Sequence, residues 1–402
     1  MGELTASEQA LVEQAAGGPL LDQVRRWAAI NSGSTNLAGL KLMAGNLADA
    51  FAHLPGELQL AAPAPVSAVD SGGAEVSVAH GEHLHLTVRP EAPVQLLFTG
   101  HMDTVYAVDH PFQQLAWREE NILNGPGVAD MKGGIAVMLA ALTALEGSPA
   151  GGRIGYEVVI NSDEEVGSPS SAALLARAAR GKRAALTYEP AALPDGTLAG
   201  ARPGSGNFSF IVTGRSAHAG RNPQDGRNAV VAAADLALRL TALIEPGLSV
   251  NVARVDGGGP NNVVPDRAIL RVNLRPATPE LQARAEAAIG EAVMSVAAAH
   301  DLSIGRHGGF GRPPKPMTPA LEELFALVAQ AGSDLGQQIA WQPSGGVCDG
   351  NNIAACGVPV VDTMGVRGGA IHSDDEYLIV DSLAERAALS ALTIARLARQ
   401  AA

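Results

Sequence analysis

The 402-residue sequence predicts an α/β fold, a mostly parallel sheet flanked by helices, with a second α+β unit inserted into it. Three observations predict this. Apolar runs of strand type alternate with helical patterns across residues 96–188, as in a sheet covered on both faces. Across 204–314 the pattern shifts to alternating, half-exposed strands with two helices. The Pro-rich hinge Arg312-Pro313-Pro314-Lys315-Pro316 then gives way to renewed helix–strand alternation. The expected units are 1–203 and 315–402 for the body and 204–314 for the insert.

In chain order, residues 8–51 read as two helices, the first carrying Leu11, Leu20, Leu21, Val24 and Trp27 at helical spacing. Asn31-Ser32-Gly33-Ser34-Thr35-Asn36 is a loop with N-cap chemistry for the second. Residues 58–86 are β-like, with a turn at Ser71-Gly72-Gly73. His80, His83 and His85 fall here, and alternation along an exposed strand describes them better than a metal cluster. A strand over 96–100, ending just before His101, follows, then a Gly-rich loop, a small-residue helix over 135–145 and a strand over 153–161. Next come a helix over 169–179, with Ser168 as N-cap and Pro169 at its first position, and a strand over 184–188. In the insert, strands are expected over 208–214, 249–255 and 268–274, and helices over 229–243 and 279–300. The remainder reads as a helix over 319–331, a strand over 358–362 and a terminal helix over 382–400.

With 47% hydrophobic and 17% charged residues the chain is globular in composition. A net charge of −13 argues against nucleic acid and anionic membranes as partners, although a local Arg pair can still bind an anionic substrate. No uninterrupted apolar run approaches a membrane span, and the first residues do not read as a secretory signal. Cys348 and Cys356 make no disulfide framework, so a reducing cytoplasm is the simplest setting.

The chemistry gathers at the ends of the expected strands. In Leu96-Leu97-Phe98-Thr99-Gly100-His101-Met102-Asp103 an apolar run ends in a His, with an Asp two positions on. In open α/β sheets ligands sit at the carboxyl ends of strands. Asp103 can reach back to orient the imidazole, as a metal-ligating His requires. Alone, His-x-Asp also fits an ordinary turn. Asp130 lies in the Gly-rich loop, Glu164-Glu165 and Glu189 each end a strand, and His372 follows Gly368-Gly369. Adjacent carboxylates repel each other unless cations are present. One can bind metal while its neighbour activates water; a solvated acidic turn is the alternative for this segment alone. Two His and three carboxylates suit two divalent cations bridged by one carboxylate. Ligands of N and O type suit zinc, with cobalt or manganese as substitutes.

These residues, together with Gly125-Pro126-Gly127-Val128-Ala129-Asp130-Met131-Lys132-Gly133-Gly134, Tyr188-Glu189-Pro190, Arg215-Ser216-Ala217-His218-Ala219-Gly220, Asn262-Val263-Val264-Pro265 and His372-Ser373-Asp374-Asp375-Glu376-Tyr377, follow a known pattern in its order. The sequence resembles the co-catalytic zinc peptidases that include glutamate carboxypeptidase, aminoacylase and succinyl-diaminopimelate desuccinylase. The resemblance implies a zinc peptidase-like catalytic domain with an inserted lid/dimerisation domain, and two Zn2+ per subunit. His101 and Glu189 would bind one metal, Glu165 and His372 the other, and Asp130 would bridge. Glu164 would be the general base and acid, and Asp103 would orient His101. His218 would stabilise the oxyanion, in dimeric members at the partner's site, and Asn262 would bind substrate. The peptide bond after the bridging Asp130 would be cis.

Glu189 and the motif wording lean toward the glutamate carboxypeptidase branch, in which Arg275 and Arg312 would hold substrate carboxylates. Cys348 stands where the family commonly has a hydroxyl residue. The expected activity is cleavage of an amide bond beside a free α-carboxylate, in a small N-acyl or peptidyl amino acid. An aminoacylase-type deacylase and a metal-stabilised binding protein without activity are the rivals. A homodimer formed through the insert is expected.

Overall fold

The computed structural model describes residues 4–399. Its central sheet has six strands, in the spatial order Glu57–Ala61, His83–Val88, Ile154–Asn161, Val94–His101, Ala184–Thr187, Val360–Val361. The last four run parallel to one another, and the first two are joined on as antiparallel neighbours. The register sets out the site. His101 pairs with Asn161 and Thr99 with Thr187, so the strand ends that lead into Glu164-Glu165 and Glu189 lie side by side.

Helices cover both faces of this sheet, and local chemistry starts several of them. Asn36 accepts a hydrogen bond from the Gly39 amide at the head of Leu37–Phe51. Thr318 caps Pro319–Asp334, with Pro in the first turn where its missing N–H costs nothing. The stretch predicted as two helices holds three, Ala6–Ala16, Leu20–Ala28 and Leu37–Phe51, because Gly17-Gly18-Pro19 interrupts the first. The helix expected from Pro169 begins at Ala172 instead. Ser168 has a positive φ of 57° and gives its side chain to Asp349 and Arg312, not to a cap.

His83 and His85 are buried, contrary to the exposed strand expected of them. Ser162 and Ser170 close over His83, and Gln59 and Glu157 of the neighbouring strands flank His85. His83 Nδ1 accepts from the Ser162 amide, and His85 pairs with Glu157 at 2.6 Å. One helical stretch, Val128–Glu146, is long and apolar enough to cross a membrane once the Gly-rich loop is counted with the helix. It is 89% buried inside the fold and packs on the terminal helix.

A second sheet of four antiparallel strands has the order Leu248–Gly257, Arg267–Pro276, Ser205–Thr213, Ser303–Arg312. The last of these was not read from the sequence, since Gly305, Gly308, Gly309 and Gly311 dilute its pattern. Helices Ala229–Thr241 and Pro279–His300 pack on one face around Phe208, Phe210, Leu236, Leu270 and Ile289, a cluster separate from the main core. The other face is covered from a distance in sequence. A hairpin of Val66–Val69 and Glu75–Val78 lies across it. Arg267 donates to the Gly72 carbonyl, and Arg271 to those of Val69 and Asp70. Gly73 sits so close to Ile211 and Ile269 that a Cβ would meet both at 3.2–3.4 Å.

Candidate active site

The carboxyl ends of the parallel strands bring five side chains together. His101 Nε2 lies 3.0 Å from Asp130 Oδ1 and 3.6 Å from Glu189 Oε2. His372 Nε2 lies 3.2 Å from Asp130 Oδ2 and 3.1 Å from Glu165 Oε2. The two oxygens of Asp130 therefore face different histidines. Asp130 is carried on an irregular turn between Gly127 and Gly134, and its peptide bond to Met131 is cis. His372 is held at a positive φ of 62° at the tip of its loop.

Asp103 does more than the sequence suggested. Its backbone carbonyl takes the closer contact with His101 Nδ1, at 3.0 Å, and its carboxylate stands 3.4 Å from that nitrogen. A carbonyl can only accept, so Nδ1 carries a proton, and Nε2, which faces Asp130 and Glu189, is the nitrogen that would bind a metal. The Asp103 carboxylate accepts from the backbone amides of Glu164 and Glu165 and from the Ser34 hydroxyl. One residue thus fixes both the first histidine and the paired glutamates.

Glu164 is buried, and its Oε1 takes a 2.7 Å bond from Arg312 Nη2. The sequence offers Arg312 as a clamp for substrate. The structure instead occupies its donors, with Nη2 also on the Glu164 carbonyl and Ser168, and Nη1 on Asp349 and Asn352. No sequence signal pointed to this, because Arg312 and Glu164 lie 148 residues apart. Arg275 is exposed near the end of its interior strand and donates to the Gly345 carbonyl and to Asn273. His218 and Asn262 come together in one small antiparallel bridge, where Ala219 N donates to Asn262 O. His218 Nδ1 accepts from the amides of Gly220 and Arg221. Among the described residues no hydrogen bond or ion pair joins His218 or Asn262 to the carboxylate cluster. Cys348 is buried, and burial pushes its thiol well above the ordinary range.

The electrostatics favour cations. Burial pushes the carboxyls of Glu164, Glu165 and Glu189 upward, Glu165 to about 7, and neighbouring carboxylates add to it. Against burial, His101 and His372 hold Asp130 below the usual range. His372 is raised to about 11 by its hydrogen bonds to Asp130 and Glu165. His101 is raised despite its burial, by Glu189, Asp103 and Asp130. Crowded carboxylates facing imidazole nitrogens are a donor set that divalent metal would neutralise. Ligand atoms of His101, Asp130 and Glu165 lie within 4.8 Å of one another, and so do those of His101, Glu164 and Glu189. The chain thus offers a candidate metal centre of N and O donors without thiolate.

Peptidase family M20/M25/M40 matches residues 97–396. Carboxypeptidase G2 of Pseudomonas sp. (strain RS-16) is 29% identical over 330 residues, covering 78% of this chain and 76% of that protein. Succinyl-diaminopimelate desuccinylase of Maricaulis maris (strain MCS10) is 30% identical over 365 residues, covering 79% and 88%. Among solved structures, the Bacillus subtilis YXEP protein, a dinuclear metal binding peptidase, superimposes with a TM-score of 0.64 at 15% identity, covering 97% of this chain and 99% of its own.

Proposed function

The chain belongs to peptidase family M20/M25/M40 and is a metal-dependent hydrolase of amide bonds; from that premise we propose a dinuclear zinc carboxypeptidase that cleaves beside a free α-carboxylate. The observation that carries the dinuclear reading is Asp130, whose two oxygens face two different histidines. In this reading His101 and Glu189 hold one ion, Glu165 and His372 the other, and Asp130 bridges them. The ions, when bound, polarise the scissile carbonyl and acidify a water.

The remaining roles belong to the chain. Glu164 takes the proton of the attacking water and returns it to the leaving amine. Its bond to Arg312 keeps the carboxylate aimed at the strand ends. Arg275, exposed beside the Gly345 loop, anchors the substrate's α-carboxylate, and Asn262 contacts the acyl side. Arg312 joins Arg275 as a clamp only by leaving Glu164. His218 donates to the oxyanion.

Residues 204–314 act as the lid, and 1–203 with 315–402 as the catalytic body. The lid also supports a homodimer. Its edge strand Leu248–Gly257 is mostly exposed, and Val231 and Leu238, on the neighbouring helix, are 52% and 73% exposed. Among the described residues the His218 side chain bonds only to the Gly220 and Arg221 amides and leaves the cluster of its own chain alone, and on that ground we propose that it serves the partner's metal centre. The two free cysteines, Cys348 and Cys356, fit a reducing cytoplasm.

A panel of folyl- and peptidyl-glutamates, N-acetyl and N-succinyl amino acids, read by mass spectrometry, tests the substrate. Release of glutamate supports the carboxypeptidase reading. Preference for N-acyl amino acids would favour a deacylase, toward which the resemblance to a desuccinylase points. No turnover by metal-replete protein would leave only a metal-stabilised binding protein.

A further inference from the structure

Glu376 belongs to the same loop as His372 and is 1% exposed. Its carboxylate is aimed at the turn that carries Asp130. Oε1 accepts from the backbone amides of Ala129 and Asp130, each at 3.0 Å. Oε2 accepts from the Gly127 amide at 3.0 Å and lies 2.9 Å from the Tyr106 hydroxyl. Its own carbonyl accepts from the Asn124 side chain and the Gly125 amide. These amides belong to the irregular turn between Gly127 and Gly134, ahead of the helix Gly134–Glu146, where no regular helix supplies their partners. A carboxylate there satisfies them and fixes the path of the turn. The carboxylate comes from about 250 residues away, so local sequence does not place it.

We propose that Glu376 is a positioning residue that sets Asp130 and His372 jointly for the cation held by Glu165 and His372. It touches no substrate and no reacting atom. One carboxylate fixes the backbone amide of Asp130, while its own backbone, four residues on, anchors the loop of His372. The site of Glu165, His372 and Asp130 therefore depends on Glu376 for two of its three residues. The site of His101, Glu189 and Asp130 depends on it for one. Tyr106 ties the same parts, since its hydroxyl lies between Glu376 Oε2 and the Ser373 carbonyl at 2.8 Å. The proposal rests on the dinuclear reading above.

The test is Glu376→Gln in the full chain, stripped by chelator and titrated with Zn2+ by calorimetry and with Co2+ by its visible spectrum. The side chain keeps its shape, but an amide nitrogen cannot accept from the N–H groups it would face. Residues that orient metal ligands typically govern affinity by about 10–100-fold. The expected result is that one binding step weakens about 10–100-fold while the other stays within about threefold. The weakened step should be the one lost in His372→Ala and retained in His101→Ala. Two steps unchanged, or two steps weakened alike, would overturn the proposal, the latter by showing only general loosening. If Glu376→Gln does not fold, Tyr106→Phe is read in its place. It keeps the carboxylate and removes one donor, so the same step should weaken a few-fold, and an unchanged titration overturns the proposal. A parent protein that never binds two cations overturns this proposal together with the dinuclear reading. A parent that binds two, with Glu376→Gln matching it, overturns this proposal alone.

Discussion

Replacing Glu164 by Gln separates two roles that the geometry brings close together. The carboxylate lies within reach of His101 and Glu189, as a ligand would, yet it is paired with Arg312 at 2.7 Å, as a held base would be. In Glu164→Gln the amide oxygen can still accept from Arg312, and Arg312 keeps its 2.9 Å partner Asp349. The loss is then one charge-assisted bond reduced to a neutral one, about 1–2 kcal/mol. The fold should survive that. Turnover should not, because an amide cannot take a proton near neutral pH. Removal of a general base costs about 10²–10⁴-fold, equivalent to about 2.7–5.4 kcal/mol in the barrier. The assay pairs metal content by elemental analysis with kcat and KM on the best substrate of the panel. Two metals per chain with kcat reduced by at least about a hundredfold is the expected outcome. Full activity would refute the base assignment. A variant that has lost a metal would make Glu164 a ligand.

Three further predictions concern assembly and stability. A mixture of His101→Ala and His218→Ala subunits should regain up to about a quarter of parental activity if His218 acts across the dimer, and no recovery despite proven subunit exchange would place it in its own chain. Asp362→Asn leaves the buried cations Arg202 and Lys315, bonded to it at 2.8 and 2.7 Å, without their counter-charge, and should cost about 3–5 kcal/mol in urea unfolding. Against its burial, those cations hold the Asp362 carboxyl below its ordinary value, so its stabilisation is complete above that value and is lost as pH falls through the folded one. An acid-unfolding profile that Asp362→Asn leaves unchanged would contradict this. Gly134→Ala drives a Cβ into the Tyr188 carbonyl, beside Glu189, and should lower stability by about 1–3 kcal/mol; a melting curve equal to the parent's would show that the helix can shift to admit it.

The parallel strands and the residues at their ends were legible because buried strands are short apolar runs, and polar chemistry interrupts them abruptly. His101, Asp130, Glu165, Glu189 and His372 could be picked out one by one, and the structure brings them together at the carboxyl ends of the parallel strands. What stayed hidden depends on neighbours distant in sequence. The burial of His83 and His85 follows from Ser170, Gln59 and Glu157 packed around them, not from their own alternation. Arg312 reads as a free cation until Glu164 and Asp349 are seen around it. Glu376 sits in a motif that was noticed, but its target amides belong to another loop. The strand Ser303–Arg312 was missed because its glycines lack the branched side chains that mark a strand.

The hairpin of Val66–Val69 and Glu75–Val78 makes the insert less portable than its position in the chain implies. Residues 204–314 form one continuous segment and invite transplantation between relatives as a cassette. Cut at those ends, the cassette would leave behind the cover of its own sheet. Ile269, 1% exposed in the intact chain, would meet water together with Ile211, and Arg267 and Arg271 would lose the carbonyls that receive them. A chimera that exchanges 66–78 along with the insert keeps both faces of the sheet closed. One that moves the insert alone creates an apolar surface on a free sheet, the starting point for aggregation. The unit of inheritance for this lid is therefore two separated stretches of sequence, and recombination that respects only one of them produces a protein that sticks to itself.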